Sequence, residues 1–121
     1  MHVAVFCHNY PPHPGGLEVM VRMLGRHLVE RGHRVTVISS AWQPAVGAPE
    51  TREITEEDGM TVHRLPAIHR SEAWGVPWPL PWGPGLAGAV RAVREAEIFH
   101  AHGALYASSF LAAELARHRG R

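Results

Sequence analysis

Apolar residues in this chain fall alternately into short runs and helical stripes. Residues 2–7 form a short, valine-rich apolar run that predicts a buried strand. Residues 8–16 hold three prolines and two glycines and predict a loop. Leu17, Met20, Val21, Leu24 and Leu28 then recur at the spacing of one helical face, with Glu18, Arg22 and Glu30 largely off it. Gly32 is placed to stop that helix, because glycine accepts the left-handed cap conformation. Residues 34–39 include the β-branched run Val35, Thr36, Val37 and Ile38 and predict a second strand. Strand, loop, helix and strand in this order make a βαβ unit, whose two strands are parallel.

The later chain is less regular. Residues 40–50 read as a loop. Residues 52–56 and 60–65 are expected to pair across the turn-forming Asp58-Gly59. Residues 66–85, rich in proline and tryptophan, are expected to be a long loop. Leu86, Ala89, Val90 and Val93 return to helical spacing, residues 97–101 read as a short strand, and residues 107–118 as a final amphipathic helix. There are no internal repeats. The fold class that follows is α/β: a Rossmann-like, doubly wound, mostly parallel sheet with helices on both faces. The last helix should lead into another strand, and none follows. Strand 97–101 is therefore expected to have one unpaired side, either because the domain is truncated or because another chain protects that edge.

Composition narrows the partners. The chain has 121 residues, 45% of them hydrophobic, enough for one small domain with a core. The net charge is +1, and its basic residues, all arginine, are scattered, so nothing points to nucleic acid. A single cysteine, Cys7, excludes an internal disulfide framework and fits a reducing compartment. The N-terminus lacks the charged region and cleavage site of a signal peptide. Residues 73–90 are uncharged, but Pro77, Pro79, Pro81 and Pro84 interrupt them, whereas a spanning helix needs roughly 20 apolar residues.

Gly15-Gly16 joins the first strand to the first helix, at the carboxyl end of a strand, where open α/β sheets bind ligands. Two glycines let backbone amides approach a ligand, and a helix N-terminus adds unpaired donors and partial positive charge. The pair suits a phosphate or diphosphate. Equally, it suits an ordinary strand-to-helix turn. It is neither a G-x-G-x-x-G dinucleotide fingerprint nor a P-loop, which argues against a dehydrogenase and an NTPase.

The run Tyr10-Pro11-Pro12-His13-Pro14-Gly15-Gly16-Leu17-Glu18 resembles the first loop of family-four, GT-B-fold glycosyltransferases. The likeness continues through Leu24, Leu28, Gly32-His33, Val35 and Val37, then Asp58-Gly59-Met60, Val62-His63-Arg64, and Ile98-Phe99-His100-Ala101-His102. Each piece is weak alone, but together and in order they span nearly the whole chain. The resemblance implies two Rossmann-like domains facing across a cleft. Residues 1–121 would be part of the N-terminal, acceptor-side domain, with the C-terminal donor domain absent. It implies transfer of a sugar from a nucleotide-sugar to a sugar or lipid-linked acceptor, with retention of configuration and without a cofactor or bound metal. Gly15 and Gly16 would lie near the donor diphosphate. His13, Glu18, His100 and His102 would lie towards the acceptor or donor sugar. The catalytic groups of the donor domain are not in this chain, which alone is expected to be inactive. A cytoplasmic location, at the membrane face, would fit. The other class of function is a stand-alone α/β module that binds a sugar phosphate without catalysis.

Several residues carry two readings. His100 and His102 are two apart and should share a face. They either line the cleft, or His100 packs in the core, or the pair joins His8 or His13 around zinc, which wants three or four ligands. Glu18 sits in the first turn, where it either complements the helix dipole or approaches the acceptor pocket. Trp74, Trp78 and Trp82 either offer an aromatic surface to an acceptor or a membrane through residues 74–84, or fold onto their own domain. Strand 97–101 is also a candidate edge for self-association. Cys7 reads as a small buried residue.

Overall fold

The fold is given by a computed structural model, which describes residues 1–12, 15–40, 53–70, 78–81, 84–103 and 107–120. β1 (His2–Phe6) is followed by α1 (Gly16–Glu30), β2 (Arg34–Ser40), β3 (Glu53–Glu57) and β4 (Met60–Leu65). Then come β5 (Ala67–Arg70), β6 (Trp78–Pro81), α2 (Pro84–Ala92), β7 (Ile98–Ala101) and α3 (Ala107–His118). Five strands form one sheet in the order β3-β4-β2-β1-β7. β1 pairs in parallel with β2 and with β7, and β2 in parallel with β4. Only β3 runs antiparallel. This is the α/β architecture that the alternating pattern predicts.

Alternation along the strands splits the core in two. Val3, Val5 and Cys7 of β1 and its exit join Val35, Val37, Met60 and Val62 beneath α1, which contributes Val21. Ala4 and Phe6 point to the other face, with Ile38, Leu65, Ala89, Val93 and Ala112 under α2 and α3. Both faces of β1 are therefore covered, which is why its sequence runs apolar without a polar alternate.

The buried face of α1 differs from the expected stripe. Met20 is half exposed, as are Val19 and Met23, while Glu18, Val21 and Gly25 are buried. The face is rotated by roughly 60° towards Glu18 and Gly25. Neither residue counts as apolar in a periodicity argument. Gly25 is there because the helix approaches β4 closely: a Cβ would run into the Met60 thioether. Gly32 has a φ of 84° and ends α1, as its position predicts.

The turn between β3 and β4 has positive φ at both central residues, Asp58 (52°) and Gly59 (77°), the backbone that a two-residue hairpin with right-handed twist requires. Residues 66–85 depart from the expected loop, because β5 and β6 form a two-stranded antiparallel sheet. Prolines at alternate positions 79 and 81 put their missing amides on one side of the strand. Trp78 and Leu80 remain as donors towards β5. β6 also touches α3 and β2. Trp74 and Trp82 lie outside the described residues.

At the other side of the sheet, β7 pairs with β1 and with no other described strand, as expected for an edge. Ile98 is correspondingly exposed. An apolar crevice of about 200 Å³ runs beside it, lined by Val90, Val93, Phe99 and Leu115 with Arg94 and Arg119. It lies by the C-terminal ends of α2 and α3, hence at the amino end of the parallel strands.

That amino end is closed by a buried polar cluster. The His2 Nδ1 accepts from the Arg34 guanidinium at 2.5 Å, and its Nε2 faces the Thr36 hydroxyl at 2.9 Å. A guanidinium only donates, so the ring is neutral and its proton sits on Nε2. Burial, and secondarily Arg34, hold the His2 pKa below its ordinary 6.5. A lowered folded-state pKa means that the unfolded chain binds the proton first. The stabilisation is whole above pH 6.5 and is lost as pH falls through the folded value. Urea midpoints measured from pH 7 to pH 5 should therefore decline, and His2→Gln should make that decline shallower. An equally steep decline in the variant would show that His2 is not the group responsible.

Candidate functional site

The carboxyl ends of β1 and β7 lie side by side, and the chain leaves them in opposite directions. From β1 it goes to α1 on one face, and from β7 to α3 on the other. Such a divergence opens the crevice where doubly wound sheets bind ligands. The described residues at these ends are 7–12, Gly15 and Gly16, then His102 and Gly103, and the first turn of α3.

The first loop is stitched to its neighbours before it turns. The Cys7 amide donates to the Ile38 carbonyl (3.1 Å), the Ser40 amide to the His8 carbonyl (3.2 Å), and the His102 amide to the Phe6 carbonyl (2.9 Å). Asn9 and Tyr10 are buried, and a cis peptide joins Pro11 to Pro12. Arg64, near the end of β4, crosses to this loop. Its Nη2 donates to the Pro11 carbonyl and its guanidinium lies 5.5 Å from the Tyr10 ring centroid. Its other face bonds Glu57 at 2.6 Å and Thr55 at 2.9 Å. The Arg64 hydrogen bond, with a smaller share from Thr55, holds the Glu57 carboxyl below its ordinary range, so the pair stays ionic at neutral pH.

Gly15 is the N-cap of α1 and offers no side-chain cap. The Glu18 side chain folds back instead: a Cβ on Gly15 would collide with its carboxylate. Glu18 is 4% exposed, so it is a buried acid in the first turn and not a solvated partner of the dipole. It also lies close enough to Cys7 to act on the thiol, whose pKa is pushed up to about 12, chiefly by burial. Cys7 is thus a protonated, buried thiol and not a nucleophile. Gly16 differs from Gly15. Both are exposed, but a Cβ on Gly16 would meet nothing.

His100 and His102 do share a face. Their rings stack with centroids 4.4 Å apart and planes within 6°. His100 is exposed on the edge strand, which removes its reading as a packed core residue, while His102 is buried. Burial and the neighbouring His100 lower the His102 pKa, leaving a neutral ring that can both donate and accept. Among the described residues no group of three His, Cys, Asp or Glu converges as a metal site would require. His13 lies outside the described residues.

Four buried polar atoms on the loops and helix start here lack a hydrogen-bond partner in the protein: Asn9 Oδ1, Tyr10 Oη, His102 Nε2 and Ser108 Oγ. The Tyr10 hydroxyl is on the side of the β3–β4 hairpin, whose Glu57 and Asp58 act on it. Buried polar groups are ordinarily satisfied by protein or by ordered water, so the other three are candidates for contact with water or a ligand. Sequence reasoning found His102 but not Asn9, Tyr10 or Ser108. Their side chains are common in loops and helix starts, and no spacing sets them apart. Arg64 stood within a recognisable motif without a role.

The divergence at the switch point, with a glycine-started helix on one side and a buried histidine on the other, is that of an α/β domain of the Rossmann-like class. The profile of Glycosyltransferase Family 4 matches residues 14–121, and the chain belongs to that family. It is also similar to the phosphatidylinositol N-acetylglucosaminyltransferase gpi3 subunit of Schizosaccharomyces pombe, with 34% identity over 97 residues. That match covers 78% of this chain and 19% of the relative.

The two glycines should respond differently to substitution. Gly15→Ala must turn aside the Glu18 carboxylate, the flexible end of a side chain, and should cost up to about 1 kcal/mol of stability. Gly16→Ala should leave stability within about 0.5 kcal/mol or raise it slightly, because alanine favours helix. Urea denaturation of both variants checks this. Equal losses at the two positions would contradict the asymmetry.

Proposed function

We propose that residues 1–121 are the acceptor-side part of a retaining glycosyltransferase, and that a second domain of the parent protein holds most of a nucleotide-sugar donor. The observation that carries this most is that Asn9 Oδ1, His102 Nε2 and Ser108 Oγ, after β1, after β7 and in the first turn of α3, are buried without a hydrogen-bond partner in the protein. Hydroxyl-rich molecules supply many short-range donors and acceptors, and these three atoms suit such a ligand. The exposed Gly16 and the α1 N-terminus provide amide donors and partial positive charge on the same side. In the proposed reaction they face the departing diphosphate, and fixed dipoles carry part of the stabilisation that a bound metal would otherwise give. Neutral His102 orients a hydroxyl by donating or accepting at Nε2. Glu18, buried under Gly15, holds the loop and does not contact the sugar directly.

The acceptor in this proposal is a sugar or a lipid-linked polyol. The similar subunit is named for phosphatidylinositol and N-acetylglucosamine, so those are the first acceptor and sugar to test. No described helix is long and apolar enough to cross a membrane. In this proposal a lipid-linked acceptor is met at the cytoplasmic membrane face, with residues 74–84 as the contacting segment.

The deciding experiment incubates the full-length parent protein with a panel of nucleotide-sugars and with phosphatidylinositol vesicles or simple sugar acceptors. Sugar transfer is expected with at least one pair, and it should survive chelation of divalent metals. The product should keep the donor's anomeric configuration. A folded full-length protein that neither transfers nor hydrolyses any donor, yet binds a sugar phosphate, would replace this proposal with a non-catalytic binding module.

A further inference from the structure

Arg64 sits where the alternation of β4 calls for an apolar side chain. Met60 and Val62 precede it on the α1 side, and both are fully buried. Arg64 itself is 8% exposed. A guanidinium in such a place is costly unless its donors are used, and a buried ion pair is in any case a weak source of stability. Its contacts show where it is used. Nη1 bonds Glu57 Oε2 (2.6 Å) and Thr55 Oγ1 (2.9 Å), Nη2 bonds Glu57 Oε1 (3.2 Å) and the Pro11 carbonyl, and the planar group faces the Tyr10 ring. One side chain thus joins the β3–β4 hairpin to the first loop.

That loop needs such a tie for a reason written in its sequence. Pro11 and Pro12 are consecutive, so two successive residues have no amide donor. They can be anchored through backbone only by their carbonyls, and Arg64 takes that of Pro11. The segment leads from the buried Asn9, at the exit of β1, and Tyr10 towards Gly15 and the start of α1.

We propose that Arg64 is a positioning residue: braced by Glu57 and Thr55 and seated over the Tyr10 ring, it holds residues 9–12 in the geometry that presents Asn9 and the glycine-started helix to ligand. Lysine cannot replace it, because an ammonium has no planar fork to serve Glu57 and Pro11 at once while stacking on Tyr10. The consequence for catalysis rests on the glycosyltransferase reading, but the consequence for the loop does not.

The test uses the full-length protein with Arg64→Lys and Glu57→Gln, read by amide hydrogen exchange and by sugar transfer. In Arg64→Lys, exchange in peptides spanning residues 8–19 should rise by roughly tenfold while peptides from β1, β2 and β4 keep wild-type protection. Glu57→Gln should do the same to a smaller extent. Turnover with the best nucleotide-sugar should fall by about tenfold or more at unchanged thermal midpoint, as expected when a reacting group is displaced without unfolding. Localised loosening with no transfer from any donor would keep the positioning role and reject the glycosyltransferase reading. Wild-type exchange in residues 8–19 would overturn the proposal. So would loosening that spreads evenly over the sheet in both variants, or an unfolded Arg64→Lys together with uniform loosening in Glu57→Gln.

Discussion

The burial of β1 on both faces is the constraint from which the rest of this structure follows. With Val3 and Val5 on one side and Ala4 and Phe6 on the other, the strand needs helices above and below it. It needs parallel neighbours on both edges as well, and β2 and β7 supply them. The connections must then diverge, with α1 closing one face and α3 the other. A crevice at the carboxyl end is a consequence of that divergence and not a separate invention.

What stands in the crevice is decided by crowding as much as by chemistry. Glu18 folds back where a side chain on Gly15 would stand, and Met60 fills the place of a side chain on Gly25. Glycine at position 25 lets the helix sit low against β4. Arg64 then ties the double-proline segment to the hairpin from the opposite side. The loop is held between a buried acid on α1 and a buried guanidinium on β4, with Cys7 and Tyr10 packed between. Burial raises the pKa of both Cys7 and Tyr10 to about 12, so neither contributes charge at neutral pH. The Arg64–Glu57 pair is ionic.

Much of this was legible in the residues themselves. Valine runs located the parallel strands, Asp58-Gly59 located the hairpin, and Gly32 located the end of α1, because each depends on local conformational preference. The orientation of α1 was less legible. Periodicity scored Met20 as inward, whereas the true inward face includes Glu18 and Gly25, one charged and one without a side chain. Residues 66–85 were misread for a related reason. Proline density signals a loop, but prolines two apart are compatible with one side of a ribbon. At the site, Gly15 and His102 were recoverable from motif positions. Asn9, Tyr10 and Ser108 were not, since what distinguishes them is burial without a partner, a property of the folded chain alone.

Two buried histidines show why that property carries weight. His2 and His102 lie at opposite ends of the same sheet, and burial lowers the pKa of both. At the amino end both ring nitrogens of His2 are engaged, by Arg34 and by Thr36. At the carboxyl end His102 Nε2 has no partner, nor does the nearby Ser108 hydroxyl. A fold that satisfies a buried imidazole completely at one end has the means to do so at the other. The difference coincides with the end where the strand order diverges and the glycine-started helix points. Incomplete polar satisfaction is a cost to the isolated domain, repaid when a ligand provides the missing bonds. On that reasoning the unpartnered atoms at the carboxyl end are the ones that the proposed acceptor-side reading would put to use.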